Sequence, residues 1–439
     1  MELLYASGLL LTGTALAITT WRKLWVGFVI IFPFTFAYGT LLASSLYLEI
    51  IPSYVFEQDT FSYFNGSSLY LVAVITTSLI ISALTTQITS RAFAHRNAAR
   101  PLLSQTNILL VIALELILLA HVAASGSPWL TEGVTRFQFW EERAIIKSLS
   151  IFNWLLYAIV FVLGANGAYF LYRGKKSSKA LSLTALLLAA IYFISLGNKY
   201  SAIAILLFYY FIPGIISYKL RYKEKYPLTK DLIIIAPFIL AGIAFLVTKQ
   251  YEKFDARGLS TMEQLIERVL ILQGHTYWGS FNIAVAEGGQ YNQVLNELKA
   301  LLFRLPDGEA GMSFLMQSLA PPAIFDSYTQ SGVQFTLGFP GINIVVFGLF
   351  FGAIATLISW IIFSFFLSYL LCLIAQGSRV RLLFSAYLYL NSFVWFQRGS
   401  LDGFINWKTL TVLFMIATIE IHRHTRKLQY DSTQGLKNG

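Results

Sequence analysis

The sequence is short of charge. Only 12% of its 439 residues are Asp, Glu, Lys or Arg, while 56% are hydrophobic. A soluble domain carries roughly twice that charged fraction, so most of this chain is not built for water. Cysteine is nearly missing too. Cys372 stands alone in an apolar run, which excludes a disulfide framework and a cysteine zinc site. There is no Walker A loop, no Gly-rich dinucleotide turn, no His-Glu-x-x-His pair and no nucleophile elbow. Asp-x-Asp, which holds a metal against a nucleotide-sugar diphosphate, is absent as well, and neither a metal nor a cofactor is expected. The net charge of +10 comes without a nucleic-acid motif and sits in loops between apolar runs, so no nucleic-acid partner is expected.

What is present in quantity is apolar sequence in long stretches. Crossing a hydrocarbon core takes about 20 residues of helix. Barrel strands need only about 10, with alternating polarity. These runs are longer and apolar all round, so they read as helices, which satisfy their own backbone groups in lipid. About eleven spans are expected, near 3–20, 24–50, 67–88, 107–125, 149–172, 180–196, 201–218, 232–248, 341–374, 382–396 and 404–421. The run 341–374 is too long for one straight span, which calls for tilt or a lead-in at Gly341. Ala15-Leu16-Ala17 resembles a signal-peptidase site, but no basic residue precedes the first apolar run while Arg22 and Lys23 follow it. It therefore reads as a first span with its N-terminus outside.

The connecting loops alternate in charge. Arg22 and Lys23, Arg91 to Arg100, Arg173 to Lys179, Lys219 to Lys230, Arg379 and Arg381, and the basic tail all fall on one side. Cytoplasmic loops keep the Lys/Arg excess, which puts this set and the C-terminus inside. Three stretches then face out: 126–148, the turn Gly197-Asn198-Lys199-Tyr200, and a large loop over 249–340. The expected organisation is an N-terminal set of spans over 1–248, that loop, and C-terminal spans with a tail over 341–439. In the loop, Ser260 and Glu263 make a capping box. Met262, Leu265, Ile266, Val269 and Leu270 follow at helical spacing. A second amphipathic stretch runs from about Gln290 to Leu305, and Pro321-Pro322 interrupts the loop beyond it. Such helices either lie on the membrane surface or cover a cavity.

Basic residues kept on the outer face run against the topology bias. They include Arg136, Lys199, Arg257, Arg268, Arg304 and Arg398. Guanidinium groups match pyrophosphate oxygens two at a time, so an anionic ligand is one reading; solvated loop pairs with Glu252, Asp255, Glu263 and Glu267 are the other. Arg268 and His275 are seven residues apart, two turns along one helix face unless Gly274 breaks the helix. Arginine there would hold a phosphate while histidine takes a proton from a sugar hydroxyl. Glu115 and His121, inside the span at 107–125, read as structural groups pairing across the bundle, and Gly348 and Gly352 as a small-residue packing face.

The order of these features resembles the Wzy-type oligosaccharide repeat-unit polymerases. The pieces that carry the resemblance are Gly126-Ser-Pro-Trp-Leu with Arg136, the turn Gly197-Asn-Lys199, Arg257 to Trp278, Gly338-Phe-Pro-Gly341 and Gln397-Arg-Gly-Ser-Leu-Asp402. The likeness spans nearly the whole chain in layout, on short motifs. Lys199 departs from it: an arginine often stands at that turn, and lysine keeps the charge without the fork. The resemblance implies a polytopic all-α, GT-C-like enzyme of the bacterial inner membrane. It would be a metal-independent glycosyltransferase that moves a growing glycan from undecaprenyl pyrophosphate onto a new lipid-linked repeat unit, with a chain-length regulator as a further partner. Arg268 and His275 would be catalytic, and Arg136, Lys199, Arg257, Arg304 and Arg398 would bind pyrophosphate. An O-antigen ligase shares this layout, and a lipid-linked oligosaccharide flippase is the rival from another class.

Overall fold

The structure is a computed structural model. It describes residues 25–55, 57–59, 66–93, 104–131, 134, 136–172, 176–198, 200–222, 263, 266–303, 305–330, 334–335, 340–376, 379–398 and 406–435. Every regular element among them is a helix. In chain order these are α1 (Trp25–Ile50), α2 (Ser67–Phe93), α3 (Gln105–Ser125), α4 (Phe152–Tyr172), α5 (Lys176–Ser195), α6 (Tyr200–Tyr222), α7 (Leu272–Ala286), α8 (Asn292–Leu302), α9 (Gly311–Leu319), α10 (Pro322–Gln330), α11 (Gly341–Gln376), α12 (Arg379–Arg398) and α13 (Trp407–Gly435). Short helical turns at Arg136–Gln138, Phe139–Arg143 and Lys147–Ile151 precede α4, and a π-helical turn at Glu267–Ile271 runs into α7.

Among the described residues, seven helices are long and apolar enough to cross a membrane: α1 to α6 and α11, while α12 holds a shorter apolar run. The chain is thus an all-α protein with the character of a membrane protein. The expected spans at 3–20 and 232–248 lie outside the described residues. The one expected at 404–421 falls on α13, which is not among the seven.

Small residues set the closest helix contacts, as they do where lipid supplies no hydrophobic drive between helices. A Cβ on Gly164 of α4 would stand 2.1 Å from the Tyr210 carbonyl oxygen of α6, and one on Gly27 of α1 would stand 2.6 Å from that of Ala83 on α2. Serines join α2 to α11, where Ser364 donates to Ser82 at 2.8 Å. The centre is aromatic. Phe34 of α1 meets Trp360 and Phe363 of α11 and Tyr389, Phe393 and Phe396 of α12, edge-on at 5.2 to 5.7 Å, the arrangement the ring quadrupole favours.

α11 does not run straight. Gly348 has φ +73° and ψ 176°, a conformation glycine adopts without a Cβ penalty. The chain folds back there. Asn343 donates to Thr356 at 2.9 Å, although thirteen residues of straight helix would separate them by about 20 Å. The excess length of the 341–374 run is taken up by this lead-in, and Gly352 packs on Asn343 and Ile344 of its own segment. Backbone groups freed at the break find partners: Gln290 N–H donates to the Val345 carbonyl at 2.9 Å and the Tyr70 hydroxyl to that of Leu349 at 2.6 Å.

α7 to α10 gather at one end of the bundle, the cap end. α7 is buried from Gly274 to Phe281, lying against α1, α11 and α9. The helix continues through Gly274. A Cβ there would meet the Ser44 backbone at 2.7 Å, and the Gly274 N–H donates to Ser44 Oγ at 2.8 Å. The opposite end is tied by Arg381, which pairs with Glu420; Tyr369 donates to the same carboxylate at 2.9 Å.

Candidate functional site

One layer of rings fixes the level of everything at the cap end. Phe161, Tyr209 and Tyr389 meet pairwise at 5.3 to 5.8 Å, and the Tyr389 hydroxyl donates to the Ile30 carbonyl. α4 and α6 run away from the cap, whereas α1 and α12 run toward it. Nine residues toward the cap from this layer lie Phe152 on α4, Tyr200 on α6, Arg398 on α12 and Gly39 on α1, a rise of about 13 Å in each helix. Next to Gly39, Thr40 donates to Gln273 of α7 at 3.2 Å. The cap ends of four packed helices and the start of α7 therefore share one level.

Several of the residues singled out in sequence fall at that level. Arg136 donates to Asn198 Oδ1, which ties the 126–148 segment to the turn after α5. Ser127 donates to the Ser195 carbonyl at 2.6 Å, and the Cβ position of Gly197, at φ +69°, lies 3.5 Å from Pro128. Lys199 lies outside the described residues, between Asn198 and Tyr200. The backbone of Arg398 ends α12 at the same level, and the backbone of Arg268 sits in the π turn packed on α1. Arg257 and Arg304 lie outside the described residues, as does Ser260 of the capping box.

The π turn changes the Arg268–His275 argument. Its wider winding means that seven residues no longer guarantee a shared face. His275 is fully buried, and its Nδ1 accepts the Val55 N–H at 3.3 Å. Tyr54 stands edge-on to the ring at 5.2 Å. Burial pushes its pKa down to about 4, against a smaller opposing pull from the Asp59 backbone. At neutral pH the ring is therefore uncharged, and it pins the segment after α1 onto α7. The same segment is held by Gln58, which donates to Thr276 at 2.6 Å, and by Asp59 N–H, which donates to the Leu319 carbonyl at 2.8 Å.

Sequence reasoning missed this 54–59 segment. In it the Glu57 carboxylate is buried, and the buried amide of Gln58 is bonded to Thr276, the residue after His275. Its only mark in the sequence is the pair of acids Glu57 and Asp59 in a loop between two apolar runs. Nearby, Glu49 accepts from Ser67 Oγ at 3.1 Å and Ser68 N at 2.9 Å, a carboxylate at the positive end of α2.

Glu115 and His121 do not pair. His121 accepts the Ile146 N–H at 3.0 Å and stacks on Trp140, whereas both Glu115 oxygens are buried without a partner among the described residues. No group of three His, Cys, Asp or Glu positioned for a metal occurs among the described residues.

Residues 305–413, from just before α9 to the start of α13, match a family described as a family of unknown function (DUF6418). No curated protein and no solved structure matches the chain.

Proposed function

We propose that this chain is an inner-membrane glycosyltransferase of about eleven spans, GT-C-like in architecture, with its cap end at the periplasmic face. It joins lipid-linked oligosaccharide repeat units into a surface polysaccharide, taking the growing glycan from undecaprenyl pyrophosphate. The observation that carries this reading is the shared level at the cap end. Arg136 bonded to Asn198, the end of α12 at Arg398 and the start of α7 lie at about one level there. Cations at such a boundary suit a pyrophosphate leaving group, because fixed donors stabilise charge as it develops.

In this mechanism Arg268 holds the pyrophosphate, assisted by Arg136, Lys199, Arg257, Arg304 and Arg398. His275, neutral at working pH, takes the proton of the acceptor hydroxyl. For that the 54–59 segment lifts, since the Val55 N–H occupies Nδ1 in the closed form.

The test is polymer laddering in a deletion strain complemented with variants at checked membrane levels. Arg268→Ala should abolish ladders, a loss of about a hundredfold in rate for one such donor, and Arg268→Lys should restore them in part. His275→Asn keeps an acceptor for Val55 and should fold yet lose turnover. Wild-type ladders from well-expressed Arg268→Ala would remove that residue from the site, and wild-type ladders from His275→Asn would leave the histidine only as a pin. An O-antigen ligase separates on the same gel: its loss leaves no capped chains, while polymerase loss leaves a single-unit cap. The break in α11 is the feature that favours a flippase, since transporters bind at broken helices near the bilayer midplane. Here, though, the break stands at the cap end of its span, where Gln290 and Tyr70 already satisfy the freed carbonyls.

A further inference from the structure

α8 uses three faces for three surroundings. Val294 and Glu297 turn to the protein, Val294 against the core and Glu297 accepting the Gly311 N–H. Asn292 and Lys299 are exposed on a polar face. Between these lie Tyr291, Leu295 and Leu298, spaced four and three apart on one helical stripe, with 58%, 58% and 51% of their surface open. That open apolar stripe does not end with α8. The Gly289 Cβ position lies 2.9 Å from Gly348 N and 2.8 Å from the Tyr291 ring. Just past Gly348, Phe350 and Phe351 are 72% and 57% open. From there open residues continue down α11 at four-residue spacing through Ile354, Ile358 and Ile362, along a helix able to cross a membrane.

We propose that α8 lies in the membrane leaflet at the cap end, its Tyr291–Leu295–Leu298 face in the acyl boundary and Lys299 reaching the headgroups. The occupant of the face is lipid because the face is continuous with the lipid-exposed stripe of α11. A helix with one apolar and one polar face settles about 5–10 Å into that boundary, and a lysine at its edge keeps its charge in the headgroup layer. The inference does not depend on the chemistry proposed above. α8 tethers the cap to the bilayer beside the break in α11.

The test is nitroxide accessibility in phospholipid nanodiscs. Leu295→Cys, Leu298→Cys and, for reference, Asn292→Cys are each made in a Cys372→Ser background. Labels at 295 and 298 should show a ratio of oxygen to nickel-chelate accessibility several-fold above that at 292. Chelate access at 295 and 298 equal to that at 292 would put the face in water and overturn the proposal. Low access to both probes would mean that protein covers it, a second copy being the first suspect, and would overturn it equally. All three side chains are exposed in the fold, so labelling leaves the packing intact; unchanged thermal midpoints in detergent verify this.

Discussion

α7 and α8 follow one another in the same loop and differ in almost everything that holds them. α7 contains Gly274, Thr276, Gly279 and Ser280, all weak helix formers, yet every residue from Gly274 to Phe281 is buried. α8 has better helix formers and a clear apolar stripe, and that stripe is open. An amphipathic pattern implies two surroundings, so it marks a helix at a boundary. A helix of small and aromatic residues with no polar face has only one surrounding. Small size in α7 serves close approach to α1 rather than flexibility.

The comparison breaks most sharply at Gly274. The atoms a side chain would meet are the backbone carbon and oxygen of Ser44 at 2.7 and 2.8 Å, which cannot rotate away. Gly274→Val should cost more than the roughly 3 kcal/mol at the upper end of ordinary overpacking, leaving little folded protein in the membrane fraction. A thermal midpoint close to wild type in detergent would show that α1 and α7 are not in contact.

A smaller effect separates the two helices by pH. Burial lowers the His275 pKa from 6.5 to about 4, so as pH falls the unfolded chain takes the proton first. The contribution to stability is complete above about pH 6.5 and is lost as pH falls through 4, amounting to at most roughly 3 kcal/mol. α8 holds no histidine. Thermal midpoints between pH 7 and 4 should therefore drop less in His275→Asn than in wild type, and parallel curves would rule out a buried neutral ring.

Seven spans found among the described residues were legible because apolar runs bounded by basic loops state their own limits: 67–88 became Ser67–Phe93 and 107–125 became Gln105–Ser125. α8 was legible for the same local reason, its stripe lying within the Gln290–Leu305 stretch. α7 was not, since glycine at 274 and 279 argues locally against a helix and only packing on α1 and α11 overrides that. The fold-back at Gly348 was half legible. Gly352 does serve close packing, but its partner is Asn343–Ile344 of the same run, which no spacing rule reveals. At the candidate site, the tie between Arg136 and the Asn198 turn followed the expectation that both face one side. The Val55–His275 contact joins residues 220 positions apart, and a single long-range hydrogen bond leaves no periodic trace in sequence.

The smallest effect belongs to the open face of α8. Leu298 is half open, so Leu298→Ser creates neither an enclosed cavity nor a buried unsatisfied group, the two usual routes to large losses. In detergent, where a micelle stands in for the leaflet, the thermal midpoint should move by no more than about 0.5 kcal/mol of stability, the ordinary range for surface changes. The serine hydroxyl would sit at the boundary between headgroups and acyl chains, within reach of headgroup and water partners. The same substitution at a buried neighbour such as Leu315 of α9, which is fully enclosed, should cost about 2–5 kcal/mol by the cavity it leaves. Equal losses at the two positions would mean that the α8 face is packed against protein, and the contrast between a core helix and a boundary helix would fall with it.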